Sequence, residues 1–365
     1  MDGLFLFFWN PLVWILVFLG YILMFALASV IAPKVAGRLS GKFSLYTSMI
    51  ILFLMIVFIF TATLLGLTYL LMIGLGAEPS LQNAGVVLSG FVVPLMIFVI
   101  LMNLITYIIS PYLINLMYRA RHDPRIQEIV DRVARRVGLS KPPKAVVVEG
   151  PPNAFAYGNF VSGRYVAVTS EMLNITSDDE LEAVIGHELG HHIHKDNMVM
   201  LFLGILPAVI YYLGINLINM SLYRMGLSNR RQNNGGIILL VAGFVAVMIS
   251  FLLQILVLAF SRLREYYADT VGVRAAGKDA MQRALAKIHI YYNRNYRDRM
   301  EIANSKLKTL FIYALTDAVA EPYYRVSRED IERIMRMPVS ALEEIFATHP
   351  PMPKRLRFIE NLSWL

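Results

Sequence analysis

The chain has 365 residues, of which 57% are hydrophobic and only 16% charged, against about a quarter charged in an ordinary soluble chain. It has no cysteine, which excludes a disulfide framework and any thiolate metal site, so a bound metal must be held by His, Asp or Glu. The formal net charge of +8 comes without any nucleic-acid-binding motif, and a basic face against an anionic membrane surface is the simpler reading.

A membrane span needs roughly 20 mostly apolar residues. Five stretches qualify, running from about Leu12 to Ile31, Met49 to Ile73, Val86 to Ile109, Met198 to Ile218 and Ile237 to Phe260. Pro94 predicts a kink in the third. The first stretch has Asp2 instead of a basic leader, a long apolar run and no small-residue cleavage site, so it reads as a retained span and not a signal peptide.

Cytoplasmic loops carry an excess of Lys and Arg. The loop after the first stretch holds Lys34, Arg38 and Lys42, and the loop after the second holds Glu78 without Lys or Arg. Arg119, Arg121, Arg125, Arg132, Arg135 and Arg136 follow the third. These three loops agree on an N-terminus outside and the main polar region in the cytoplasm. Arg224, Arg230 and Arg231, between the last two stretches, disagree.

Four regions follow: residues 1–117 with three spans, 118–197 as a polar unit, 198–260 as a transmembrane hairpin, and 261–365 as a mainly helical part. The expected class is α+β and predominantly helical, with multi-span membrane helices. In the polar unit, Asp123-Pro124 opens a helix that Gly138 stops. Ala145 to Val148 and Tyr165 to Val168 read as strands, with Asn153 to Asn159 between them. Ser177-Asp178-Asp179-Glu180 is a capping box opening the next helix, and Ser327 to Asp330 is a second signal of that type.

The helix opened by Ser177 contains His187-Glu188-Leu189-Gly190-His191. Residues four apart share one helix face, so His187 and His191 can offer two imidazole nitrogens to one zinc ion. Glu188 can then reach a metal-bound water as general base. His192 and His194 lie on the same helix, and either could assist, pack or meet solvent. Two consecutive spans return the chain to the same membrane face, where the segment from Ser261 to Asp269 begins. Glu265 there completes a His₂Glu set with an open fourth position, the arrangement of a catalytic zinc site. Asp269, one turn on, is placed to hold the distal nitrogen of a ligating His. The bland alternative is a juxtamembrane helix carrying charges at its water interface.

The pattern HELGHHxxxD, followed past two apolar spans by SRxREYxAD, resembles the membrane-bound peptidase family of HtpX, with the CAAX-prenyl endopeptidases as more distant relatives. The resemblance implies a gluzincin-type zinc metalloprotease domain, one zinc per chain and proteolysis on the cytoplasmic side. It matches His187 and His191 to the paired ligands, Glu188 to the general base and Glu265 to the third ligand. Asn153 and Ala154, in the run Asn153 to Ala156, resemble an edge strand whose backbone pairs with an extended substrate while the Asn side chain helps hold it. His349-Pro350-Pro351 with Arg355 resembles a His-Pro…Arg element that stabilises the oxyanion. Members usually show two spans before the protease region, whereas three are expected here.

Polypeptides, above all misfolded or misassembled membrane proteins, are the expected substrates, and the lipid bilayer is the other expected partner. A processing peptidase of the CAAX type is the second enzyme reading, although it needs more spans than this chain offers. A zinc-binding scaffold without turnover is the reading from another class. Transport predicts ionisable residues inside the spans, and the five stretches contain almost none.

Overall fold

The computed structural model describes residues 44–227, 234–294, 326–339 and 350–362, together with Ile31 and Val35. Apart from Ile31, the first expected span lies outside the described residues, as does His349. Two compact units emerge. One includes Met49–Ile105 and Met200–Phe260, the other Thr106–Val199 and Ser261–Leu365.

Long apolar helices dominate the first unit. Helix α1 is Leu45–Leu75. Helix α2, Leu81–Val87, runs through a π-turn at Leu88–Val92 into α3, Val93–Met117. The π-turn lies directly ahead of Pro94, the expected kink, and such wider turns are common devices for interrupting the α-helical ladder. Helices α7, Asp196–Leu227, and α8, Asn234–Ala276, complete the set. Among the described residues, four helical stretches are long and apolar enough to cross a membrane: Leu45–Leu75, Leu81–Met117, Asp196–Met225 and Asn234–Ala276.

Close backbone approach holds α7 to α8. A Cβ placed on Gly214 would lie 2.8 Å from the Gly243 carbonyl, and one on Gly243 would lie 2.7 Å from the Gly214 carbonyl. Small residues permit this spacing where lipid leaves little hydrophobic drive between helices. Arg224, one of the residues that disagreed with the charge rule, donates from Nη1 to the Gly74 carbonyl at 2.9 Å. It completes the C-terminus of α1, where the last carbonyls have no partner within the helix. Its charge therefore has a structural use.

The second unit is α+β. Strands β1 (Arg121–His122), β2 (Lys144–Val148), β3 (Ala154–Asn159) and β4 (Gly163–Thr169) form one sheet in the order β1-β2-β4-β3. β2 and β4 run parallel, while β3 returns antiparallel to β4 and forms an edge. The two-residue β1 carries no apolar alternation and was not legible in the sequence. Between β1 and β2 lies α4, Pro124–Val137, with Asp123 as N-cap and Gly138 at φ 82° as the left-handed stop. After β4 come α5 (Ser170–Ile175) and α6 (Asp178–Ile193), the latter opened by the Ser177–Glu180 capping box. Helices α9 (Lys278–Arg294), α10 (Arg328–Arg336, capped by Ser327) and α11 (Met352–Glu360) follow α8.

Each sheet face has its own apolar core. One face joins α4, α6, the end of α8, α9, α10 and α11 around Val130, Val166, Val184, Leu285 and Leu356. The other packs Val146, Val148, Phe155, Tyr157 and Ala167 against Ile114, near the end of α3.

One buried carboxylate fixes the start of α6. Glu180 accepts from the Ser177 N–H at 2.9 Å, pairs with Lys287 Nζ at 2.5 Å and reaches Arg283 Nε at 3.3 Å, both on α9. Replacing it with Ala removes both a cap and a tie to α9. The substitution should cost about 2–3 kcal/mol, read as a lowered unfolding midpoint of metal-free protein in detergent. An unchanged midpoint contradicts this role.

Candidate metal centre

Helix α6 exposes little of itself: His187 and Glu188 are buried, and His191 is only partly accessible. It lies against the last four turns of α8 because small residues face each other there. A Cβ on Gly190 would lie 3.0 Å from Ala268 Cα, and one on Gly186 would lie 2.3 Å from Ala275 Cβ. That approach carries Glu265 to the two histidines. Glu265 needs no loop to get there, since α8 continues unbroken from its apolar part for 43 residues. At about 1.5 Å per residue it is roughly 65 Å long, twice the hydrocarbon thickness of about 30 Å.

His187 Nε2 lies 3.7 Å from Glu265 Oε2, and His191 Nε2 lies 3.7 Å from Glu265 Oε1. The three ligand atoms all fall within 4.8 Å of one another. Among the described residues, this is the one group of three or more His, Cys, Asp or Glu side chains close enough to share an ion.

The far nitrogens are anchored. His187 Nδ1 lies 2.9 Å from Asp269 Oδ1, and His191 Nδ1 lies 2.6 Å from Asp196 Oδ2. A carboxylate at Nδ1 fixes the proton there and leaves the Nε2 lone pair free to ligate. Each carboxylate is itself held by a guanidinium. Arg355 bonds Asp269 through Nε at 3.0 Å and through Nη2, and Arg264 Nη2 reaches Asp196 at 2.7 Å.

Asp196 and Arg264 stand in the two quoted motifs, but the sequence reading gave neither of them a role. Asp196 stands five residues past His191, beyond the end of α6, where helical spacing gives no direction. Lys195 adopts φ 54°, a left-handed conformation uncommon for a residue with a side chain. The turn it makes starts α7 and aims Asp196 back at the histidine. Arg264 was simply one more charge beside Glu265.

Arg355 departs from its expected placement. The sequence reading turned it toward a developing oxyanion, but its fully buried guanidinium grips Asp269 and lies 3.4 Å from His187 Nδ1, the opposite side of the ring from Nε2. A buried guanidinium needs a carboxylate partner, and Asp269 is that partner. His192 and His194 turn elsewhere. His192 Nε2 bonds the Tyr165 carbonyl at 2.8 Å, and the His194 ring lies 4.1 Å from that of Tyr267.

The edge strand comes close to Glu188. Its carboxylate accepts a hydrogen bond from the Ala156 backbone, so β3 passes directly beside it. Asn153 and Ala154 at the head of β3 are buried, and the Asn153 N–H and carbonyl both bond Thr169.

Electrostatics separate His187, Glu188 and His191. Burial, opposed by Asp269, lowers His187 to about 4. Burial acts in the same direction on His191, but the Asp196 hydrogen bond with Glu265 and Glu188 outweighs it and lifts this imidazole to about 9. Burial raises Glu188 to about 7, with His191 opposing and Glu265 adding to the rise. A carboxyl poised near neutrality suits proton transfer.

These residues fit a metal ion. His187 Nε2 is buried without a hydrogen-bond partner, a state that costs free energy unless a ligand occupies it. Ligand bonds of about 2.0–2.2 Å can bridge the 3.7 Å separations through one ion.

Residues 120–363 match the profile of Peptidase family M48. A Protease HtpX homolog of Pyrobaculum calidifontis is 53% identical over 97% of this chain and 98% of the relative. A Protease HtpX homolog of Archaeoglobus fulgidus is 53% identical over 98% of each. The crystal structure of S. mikatae Ste24p aligns with a TM-score of 0.49 at 17% identity, over 87% of this chain and 66% of that one. On the family match and the HtpX relatives, the chain belongs to peptidase family M48, as a membrane-embedded metalloprotease of the HtpX type.

Proposed function

We propose that the chain is a zinc endopeptidase that cuts misfolded or misassembled membrane proteins on the cytoplasmic side of the membrane. One observation carries the reading. The partnerless Nε2 of His187, the Nε2 of His191 and the Glu265 carboxylate converge, with both Nδ1 atoms already tied to carboxylates. Two imidazoles and one carboxylate, with no thiolate in the chain, are the donor set of a catalytic zinc site.

His187, His191 and Glu265 would hold the zinc, which would supply Lewis acidity toward a scissile carbonyl and a water. Glu188 accepts the proton of the attacking water and delivers it to the departing amine, a transfer its near-neutral carboxyl suits. Asp269 and Asp196 keep each imidazole in the ligating tautomer, and Arg355 and Arg264 hold those carboxylates in place. Arg355 is thus a positioning residue. The edge of β3, whose Ala156 backbone already touches Glu188, lays an extended substrate across the proton-transfer group. His349 is assigned to oxyanion stabilisation on the sequence resemblance.

The regional division of the sequence carries over to this reading, with spans in 1–117 and 198–260 delivering protease segments 118–197 and 261–365 to one face. Cytoplasmic orientation draws on the arginines after α3. Two of them are less telling than their count implies, because Arg132 and Arg136 pair with Glu182. Arg224, on the dissenting side, caps α1 instead.

Two outcomes test the reading. Glu188→Gln should keep its zinc and lose turnover of casein by about 10²–10⁴-fold, measured beside wild type with metal content determined on both. Turnover within tenfold of wild type removes Glu188 from the reaction. Zinc affinity should rise with pH, because the Nε2 proton of His191, held until about 9, must leave before the ion binds. His187, lowered to about 4, has already lost its own. Competition with a chelator from pH 6 to 8 should show a rise of about tenfold per unit, and a flat profile contradicts the ligand assignment.

A further inference from the structure

The hairpin joining β3 to β4 ends in two exposed apolar side chains, Phe160 at 67% and Val161 at 54% exposure. A hairpin tip in water ordinarily carries polar or turn-forming residues. Asn159, only 5% exposed, fixes this tip in both directions. Its Oδ1 accepts from the Val161 and Ser162 N–H groups at 2.9 and 2.8 Å, closing the turn. Its Nδ2 donates to the carbonyls of Tyr107 and Ile108 on α3 at 2.8 and 3.1 Å.

The choice of carbonyl is physical. Pro111 lies inside α3 and has no N–H, so the Tyr107 carbonyl lacks its helical partner four residues on. In hydrocarbon such a carbonyl must find a substitute within the protein. Asn159 provides one, and the Phe160 ring settles 6.0 Å from that of Tyr107. Along α3 the exposed apolar residues run past the clamp in both directions, Ile100, Leu101 and Ile105 before it and Ile109, Tyr112 and Leu113 after it. Phe160 and Val161 add two exposed apolar side chains beside this helix.

We propose that Phe160 and Val161 insert into the boundary between lipid headgroups and acyl chains of the bilayer that α3 crosses, holding the β3 edge at the membrane surface to receive polypeptide segments leaving the bilayer. The occupant is lipid, because the apolar tip is fastened at Tyr107 and Ile108 to a helix that is apolar over the whole candidate span Leu81–Met117. An aromatic ring at such a boundary is a common anchor. The substrate class that follows is the extramembrane flank of an integral membrane protein. This last step rests on the proposed use of β3 as the substrate edge; the lipid contact does not.

The chain has no cysteine, so Phe160→Cys and Val161→Cys each give a single labelling site in full-length, zinc-loaded protein. In phosphatidylcholine vesicles, an environment-sensitive fluorophore at either position should be quenched by headgroup-proximal spin-labelled lipid and protected from aqueous iodide. The same label at Asp178→Cys, exposed at the start of α6, should behave oppositely. Iodide quenching at 160 and 161 equal to that at 178 overturns the proposal, and so does shielding from both quenchers, which would mean that a second copy or another protein covers the tip. The double variant Phe160→Asp, Val161→Asp should slow cleavage of a bilayer-embedded substrate about tenfold while leaving casein cleavage within about twofold. Equal effects on both substrates overturn the delivery role. A wild type that cuts neither substrate sinks the protease reading and leaves the labelling result standing.

Discussion

Two hydrogen bonds, His187 Nδ1 to Asp269 and His191 Nδ1 to Asp196, organise everything at the centre of this protein. They decide which nitrogen of each ring carries the proton and so point both Nε2 lone pairs at Glu265. Both carboxylates are almost wholly buried, which is costly for a charge unless it is paired and hydrogen-bonded. Arg355 and Arg264 supply the pairing. Once His191 gives up its proton and with Glu265 ionised, three carboxylates face two guanidiniums, and an ionised Glu188 adds a further negative charge. That surplus is one a divalent cation can neutralise. Removing one partner from such a cluster leaves a buried charge uncompensated, at about 3–5 kcal/mol.

Helix α8 is the second constraint. Because it runs without a break from apolar sequence into Glu265 and Asp269, the candidate third ligand and the anchor of His187 stand four residues apart on one helical rod. Glycines on α6 let that rod approach closely enough for a 3.7 Å contact. The edge strand meets the same point from the other direction, through Ala156 and Glu188. The proposed metal ligands, proton carrier and peptide template therefore stand on three elements of regular structure, the kind of support that holds a site to fractions of an ångström.

Much of this was legible in the sequence because the signals were periodic. His187 and His191 four apart, Glu265 and Asp269 four apart, and two apolar runs between them were enough to predict one cluster. The capping residues Asp123, Gly138, Ser177 and Ser327 marked helix ends through local hydrogen-bonding chemistry. What escaped depended on turns and on burial. Asp196 reaches His191 through the left-handed residue Lys195, and no periodicity encodes that. Arg355 was read by analogy with a role in front of the metal, whereas the need of a buried guanidinium for a carboxylate drew it behind His187. Asn159 entered the sequence reading only as the end of the stretch between two strands, whereas its amide reaches the Tyr107 carbonyl, whose backbone partner Pro111 removes. The first expected span and His349 fall outside the described residues.

The central claim is that one ion is shared by two imidazoles and a single carboxylate. X-ray absorption spectra of the zinc-loaded protein test it most directly, read beside the zinc content of Glu265→Ala. The account predicts two imidazoles and oxygen donors near 2.0–2.2 Å in the native protein, with zinc lost from the variant on dialysis. A spectrum with three imidazoles, or a variant that keeps its zinc with an unchanged spectrum, would contradict it.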